Sequence, residues 1–354
     1  MSRAMSHITV LGGGNGSHAA VVDLTLKGFD VMWWRRPGRR FPDGGTIRYS
    51  GIHGDGSVTV ATTNELGVAL AHADLVIAPL PATVQHELLD AAAGSLTDQH
   101  VVAWLPGTFG TWLGAHRAPA ASYLEVGTLP YLARKVADGE VAIPVVARRL
   151  PTGAIPGEGS RADRAHELFA AAYPSAVRVS DGFDAALTNW GPVIHPPLIV
   201  HNLGAIQSLG DRFDIHAEGT SPAVQRAILT LDDERTALRE HLGVPGETWP
   251  IATHYDRSPL GMYPSDGHQR LIESNLWREA IDLDHRYIWE DVACGLVLNA
   301  SIGQASGLAM PQSEAILTLL ASALGVDWNV AGRTLRSLGI EDLDAARREL
   351  AALR

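Results

Sequence analysis

The sequence predicts an α/β domain over residues 1–183 followed by an all-α domain over residues 184–354. Three observations predict it. The chain opens with a strand, a glycine-rich turn, a helix and a second strand. Short apolar runs then alternate with helical spacing through the first half, as a parallel sheet with helical crossovers requires. From about Asp184 the texture changes to long helical patterns.

Ile8–Leu11 is a short apolar run, and Gly12-x-Gly14-x-x-Ser17 follows at once. Ala19–Lys27 has helical spacing, Gly28 stops it, and Val31–Trp34 is a second apolar run. This order sets a pyrophosphate on a helix N-terminus, the signature of a Rossmann dinucleotide-binding domain. Gly12 permits the tight turn, and Gly14 lets the backbone approach the phosphates. Asn15 and Gly16 complete the loop. The third position needs a small residue, and Ser17 is small but departs from the usual Gly or Ala. An ordinary glycine turn in an unrelated α/β fold is the alternative, and the flanking strands and helix speak against it.

The end of the second strand selects the cofactor. A carboxylate there would bind the ribose 2′-hydroxyl of NAD, but this chain has Arg35 and Arg36, with Arg39 and Arg40 close behind. A guanidinium clamps a 2′-phosphate with two hydrogen bonds where a carboxylate would repel it. The expected cofactor is NADP(H) in preference to NAD(H), against the alternative of a solvated basic loop. Asp30 lies before the strand, too early for the carboxylate role.

Further strands are expected at Ser57–Thr62, Ala73–Leu80, His100–Leu105, Tyr123–Val126, Val141–Ala147 and Val177–Val179, with helices at Glu65–Ala73, Ala82–Gly94 and Arg161–Ala172. Pro151–Ser160 is rich in Gly and Pro and reads as a loop. Pro81–Thr83 and Pro106–Thr108 follow strands at their C-terminal ends, where open α/β sheets bind ligands. Pro81, Pro106 and Gly107 are therefore expected beside the nicotinamide, unless these are simple strand-ending turns. Beyond Asp184, helices are expected at Pro197–Ser208, Ser221–Leu242, His268–Leu276, Asp291–Leu308, Pro311–Gly325 and Asn329–Leu338.

Bulk properties narrow the function. The 354 residues are comfortable for two domains, and 46% hydrophobic content supports sizeable cores. A formal charge of −11 excludes the broad basic surface of a nucleic-acid binder. No stretch approaches the apolar length of a membrane span, and MSRAMSHITV moves straight into the first strand without a secretory pattern. Cys294 is the only cysteine, which rules out an intrachain disulfide or a thiolate cluster. No His-Glu-x-x-His or other metal-ligand spacing is present, so no metal is expected. These features fit a cytoplasmic protein.

A nicotinamide enzyme needs a proton donor beside the carbon that takes hydride, and histidine suits it. Among 15 histidines the most suggestive is His195, in LTNWGPVIHPPLIVHN, before an expected helix. A core or capping role is the alternative. In RYIWEDVACGLVLNASIG, Glu290 and Asp291 are adjacent carboxylates just before a helical run. They read either as a helix start or as the place where Asp291 accepts a hydrogen bond from a catalytic imidazole.

At these residues the chain resembles the octopine/nopaline (opine) dehydrogenase family, over nearly its whole length. The resemblance rests on GGGNGSHA at 12–19, EVGTLPYLAR at 125–134 and LTNWGPVIHP at 187–196. It extends through RYIWEDVACGLV at 286–297 and AGRTLRSLGI at 331–340. It implies a Rossmann domain, a helical domain and a site between them. It also implies reduction, by NAD(P)H, of the imine formed from an amino acid or other amine and a 2-oxo acid. His195 would be the general acid/base and Asp291 would orient it. Asn189 would shape the substrate pocket, and Trp190 would either narrow it or pack in the core. Arg134 and Arg257 are candidates for a substrate carboxylate, with a surface loop as the other reading of each. Where the family often carries proline, this chain has Ala293 and Leu298, which leaves the substrate open. Reduction of a 2-oxo acid or of a preformed cyclic imine, and a non-catalytic NADP(H)-binding regulatory role, are the competing readings. The apolar helical domain is compatible with a homodimer.

Overall fold

The computed structural model describes residues 7–278 and 280–352. The six residues before His7, and with them the start of the MSRAMSHITV segment, lie outside the described residues. The chain divides into two compact units. The first runs to Leu80 and from Val84 to Ala186, and the second runs from Leu187 to Leu350 and includes Pro81–Thr83.

The first unit is α/β. It contains β1 (His7–Leu11), α1 (Asn15–Leu26), β2 (Asp30–Trp34), β3 (Thr46–Gly51), β4 (Gly56–Thr59) and β5 (Ala61–Thr63). There follow α2 (Leu66–His72), β6 (Leu75–Ala78), α3 (Gln85–Ala92), β7 (Val101–Trp104) and α4 (Gly110–Arg117). The rest is β8 (Ser122–Val126), β9 (Tyr131–Ala137), β10 (Glu140–Val146), β11 (Leu150–Ile155), α5 (Ser160–Ala172), β12 (Ala176–Arg178) and α6 (Gly182–Ala186).

Eight strands form one sheet in the order β12-β11-β8-β7-β6-β1-β2-β5. Pairing from β8 to β5 is parallel, whereas β11 runs antiparallel to β8. Strands β6, β7 and β8 are buried at every residue, as expected of strands covered on both faces. A second sheet, in the order β4-β3-β10-β9, was not anticipated. Helix α1 packs against β1 and β2 on one side and β9 and β10 on the other. That double coverage buries every residue from Gly16 to Leu24, leaving α1 no polar face. Its one buried carboxylate, Asp23, is held by Lys27 Nζ at 2.7 Å and by the Tyr131 hydroxyl at 2.6 Å.

Several local expectations are corrected. Pro151–Ser160 is not a loop throughout, because Leu150–Ile155 is strand β11, where pairing to both β8 and β12 overrides its Gly and Pro content. Ser57–Thr62 is two strands in different sheets, β4 and β5.

The second unit has no strand among the described residues. It comprises α7 (Gly191–Leu209), α8 (Pro222–His241), α9 (Ala252–Tyr255), α10 (Gly267–Glu273) and a π-helical segment, Tyr287–Leu296. The remaining helices are α11 (Val297–Ser306), α12 (Pro311–Leu324), α13 (Trp328–Ala331) and α14 (Leu343–Ala352). The expected Asn329–Leu338 helix is broken into α13 and a 3-10 turn at Arg336–Leu338. Arg235 of α8 is 1% exposed and fully engaged. It bonds Asp232 at 2.7 Å and the carbonyls of Leu187, Thr248 and Trp249 at 2.8–3.0 Å. Glu234 caps α12 by accepting from the Ser313 N–H at 2.9 Å and its hydroxyl at 2.7 Å. Among the described residues no single helix is long and apolar enough to cross a membrane.

Candidate active site

The glycine loop between β1 and α1 is built from its carbonyls outward. Gly12 has φ +100°, a conformation that favours glycine, and a Cβ there would also meet Ser17 Oγ at 2.8 Å. Ser17 is fully buried, and its hydroxyl donates to the Leu11 carbonyl at 2.9 Å. That bond explains a serine at the third motif position. Close packing falls instead to Gly16, where a Cβ would lie 2.9 Å from Pro79. Three donors engage the loop carbonyls. Trp33 Nε1 donates to Gly12 at 2.6 Å, Lys135 Nζ to Gly13 at 3.4 Å, and His18 Nδ1 to Gly14 at 2.9 Å. Burial pushes the His18 imidazole down to about 4, so it is neutral and donates through Nδ1–H.

With its carbonyls engaged, the loop presents an anion-compatible face at a helix that begins at Gly14 without a side-chain cap. A Cβ at Gly14 would meet nothing within 4 Å. These residues fit a dinucleotide pyrophosphate. The Asn15 side chain is used internally, accepting the Lys135 N–H at 2.9 Å.

The arginines divide in two. Arg35 is 8% exposed and lies against Gly13, with its guanidinium 5.3 Å from the Trp33 ring centre. It donates to the Arg40 carbonyl at 2.6 Å and to Asp138 at 3.1 Å. Partial burial pushes the Asp138 carboxyl up, but the hydrogen bond and charge of Arg35, with Lys135, outweigh it and hold Asp138 low. Arg35, expected to contact the 2′-phosphate, is paired in this structure with the half-exposed Asp138. Arg36, Arg39 and Arg40 are exposed. Asn64, which the sequence did not single out, donates to the carbonyls of Arg35, Arg36 and Arg39 at 2.9–3.0 Å and sets the path of the basic segment.

Gly107 and Pro106 follow β7, and the loop is organised by Glu125. This fully buried carboxylate accepts from the N–H of Phe109 at 2.7 Å and from the Thr111 hydroxyl at 2.9 Å. A Cβ at Gly107 would run into it. The sequence marked Glu125 only as part of a segment, with no role. Pro81 is exposed, and its neighbour Ala82 accepts from Arg333 at 2.8 Å.

In the second unit, His195 Nδ1 lies 2.7 Å from Asp291 Oδ2, with the two side chains 14% and 7% exposed. The residues reach one another because of two local features. His195 sits inside the first turns of α7, not before the helix as expected. Asp291 lies within the π-helical segment, not at a helix start. The two elements approach closely at glycines: a Cβ on Gly191 would collide with the Asp291 carboxylate, and one on Gly295 with Pro192. Tyr287, one turn before Asp291, stacks on the imidazole with ring centres 3.6 Å apart and planes 11° apart. The Tyr287 hydroxyl and His216 Nε2 are 3.0 Å apart. Neither Tyr287 nor His216 was legible from sequence spacing.

Burial pushes both Asp291 and Glu290 upward. The Glu290 shift is reinforced by the charge of Asp291, while Arg286 opposes both shifts. The hydrogen bond from His195 favours an ionised Asp291, so a proton retained by the carboxylate pair resides on Glu290.

The candidate substrate residues fare differently. Asn189 Oδ1 accepts the Gly191 N–H at 2.9 Å, just before α7. Trp190 packs in the core, 3% exposed, and donates to the Trp249 carbonyl at 2.8 Å. Arg134 is buried in the four-stranded sheet of the first unit. Arg257 is exposed just beyond α9. Cys294 is buried, and burial pushes its thiol up, away from nucleophilic use.

A dinucleotide loop at a parallel sheet, with a separate helical unit holding a paired histidine, fits an NAD(P)-dependent oxidoreductase. The comparisons support the opine dehydrogenase family and, with it, an NAD(P)-dependent oxidoreductase acting on a CH–NH bond. Residues 178–324 match the family described as NAD/NADP octopine/nopaline dehydrogenase, alpha-helical domain. The chain is 28% identical to the opine dehydrogenase of Arthrobacter sp. (strain 1C) over 353 residues, covering 95% of this chain and 96% of the relative. It shares its fold with octopine dehydrogenase solved with NADH and agmatine, at TM-score 0.71, 18% identity, and coverage of 99% and 98% of the two chains. Yersinopine dehydrogenase with NADP+ bound superposes at TM-score 0.63, 16% identity, and 98% coverage of both.

Proposed function

We propose that this chain catalyses reductive condensation of a 2-oxo acid with an amino acid or other amine, preferring NADPH as reductant. The observation that carries the reading is the His195–Asp291 pair, clamped by the Tyr287 ring and little exposed. Asp291 accepts from Nδ1–H, which fixes the imidazole tautomer and leaves Nε2 to carry the working proton.

An amine adding to the oxo acid forms a carbinolamine. His195 would deliver a proton to its hydroxyl as water leaves, and the nitrogen lone pair forms the iminium. NAD(P)H held at the glycine loop would supply the hydride that reduces the iminium carbon, giving the neutral secondary amine. A neutral Glu290 beside Asp291 limits the negative charge near the imidazole. On the cofactor side, Gly12, Gly14 and the start of α1 hold the pyrophosphate. Exposed Arg36, Arg39 and Arg40 favour a 2′-phosphate, and the end of β2 offers it no carboxylate of its own.

The test is NADPH and NADH oxidation with pyruvate or glyoxylate, with and without a panel of amino acids and amines, followed by mass spectrometry. Amine-dependent oxidation yielding a secondary amine is expected, faster with NADPH at limiting cofactor. Oxidation with the oxo acid alone, unchanged by every amine, would overturn the condensation reading in favour of carbonyl reduction.

A further inference from the structure

We propose that His7, Asp30 and His72 form a binding site for one divalent cation of the zinc class at the N-terminal edge of the large sheet. One ligand atom from each of the three side chains lies within 4.8 Å of the other two. His7 and Asp30 occupy directly paired positions at the starts of neighbouring parallel strands β1 and β2, so their side chains leave the sheet on one face. His7 Nδ1 is 2.8 Å from Asp30 Oδ2. His72 is the last residue of α2, and its ring meets the His7 ring edge-on, with centres 5.1 Å apart and planes at 76°.

Tetrahedral zinc with bonds of about 2.0–2.2 Å places its ligand atoms roughly 3.4 Å apart. The His7–Asp30 gap needs to open slightly and the His72 gap to close slightly, within side-chain torsions. The backbone beneath is fixed. The Asp74 N–H donates to the His7 carbonyl at 2.9 Å, which ties the turn after α2 to β1. Asp74 Oδ2 lies 3.4 Å from the His7 N–H and adds negative charge beside the cluster.

Two imidazoles and one carboxylate are a borderline-soft donor set suited to Zn²⁺ rather than Mg²⁺ or Ca²⁺. The site is open: His7 and Asp30 are 49% and 38% exposed, which leaves room for a water as fourth ligand. It lies at the opposite end of β1 from the glycine loop, about 16 Å along a five-residue strand. The ion therefore braces β1, β2 and the turn after α2, outside the nucleotide site, and contributes stability by binding the folded state.

The test is calorimetric titration of ZnCl2 into the tag-free, EDTA-stripped full chain without nucleotide, with NADPH binding as a check on folding. One tight equivalent is expected, weakened about tenfold or more by H72A or D30N. H7Q is the gentler variant, since glutamine keeps a hydrogen bond to Asp30, and it should show the same loss. Co²⁺ added to the unaltered chain should give tetrahedral visible bands that zinc displaces. Absence of a stoichiometric tight site in the unaltered chain, or equal affinity in the folded variants, would overturn the proposal and leave an ordinary surface histidine–carboxylate hydrogen bond.

Discussion

At the scale of single residues, His195 is defined by what holds it rather than by its neighbours in sequence. Asp291 fixes one ring nitrogen and Tyr287 covers one ring face. Replacing His195 by alanine should lower turnover by about 10²–10⁴-fold, the usual range for a positioned acid or base. Asp291→Asn should also lower turnover, while NADPH affinity, measured by fluorescence titration, stays near its original value. Arg36 offers a second test. It is exposed and pairs only loosely with Glu87, at 3.5 Å. Arg36→Ala should weaken NADPH binding about tenfold or more, through loss of a charge-assisted bond to phosphate, and leave NADH binding unchanged. An equal loss for both cofactors would assign Arg36 no part in 2′-phosphate selection.

At the scale of elements, the helical unit is pinned by buried polar groups as well as by apolar packing. Arg235 joins α8 to the carbonyl ends of Leu187, Thr248 and Trp249. Truncation would strand those carbonyls and leave Asp232 buried without its cation. Arg235→Ala should therefore cost about 3–5 kcal/mol in urea unfolding, the range for breaking one partner of a buried pair. The π-helical turn and α7 work together. Pro196 and Pro197 inside α7 cannot donate to the preceding turn, and Gly191 and Gly295 admit the neighbouring element. A bulky residue at Gly191 would push Asp291 from its place.

At the scale of the molecule, the buried Glu290–Asp291 pair couples stability to pH. Burial and the neighbouring charge raise Glu290 to about 7. Between the ordinary carboxylate value and about 7 the folded chain binds a proton that the unfolded chain releases. Stability from this group is full in acid and declines as pH rises through about 7. Glu290→Gln removes the titration, so its loss of stability from pH 5 to pH 8 should be smaller than that of the unaltered chain. Urea unfolding at the two pH values reads this directly, and an equal loss in both proteins would place the retained proton elsewhere.

The sequence by itself determined the local signals: the β1–loop–α1–β2 order, the basic segment at its end, the helical texture beyond Asp184, and the two segments carrying His195 and Asp291. Each is written in a few consecutive residues, as periodicity, glycine spacing or charge. Only the tertiary structure decided what joins residues far apart. It folded β3, β4, β9 and β10 into a second sheet that, with the first, buries α1 on both sides. It placed Asp138 on Arg35 across 103 positions and Asp291 on His195 across 96. It also brought His7, Asp30 and His72 together where β1 and β2 begin. The physical reason is the same in each case. Short-range pattern records which face of an element is apolar, whereas side-chain partners depend on strand register and helix packing, which no local window contains.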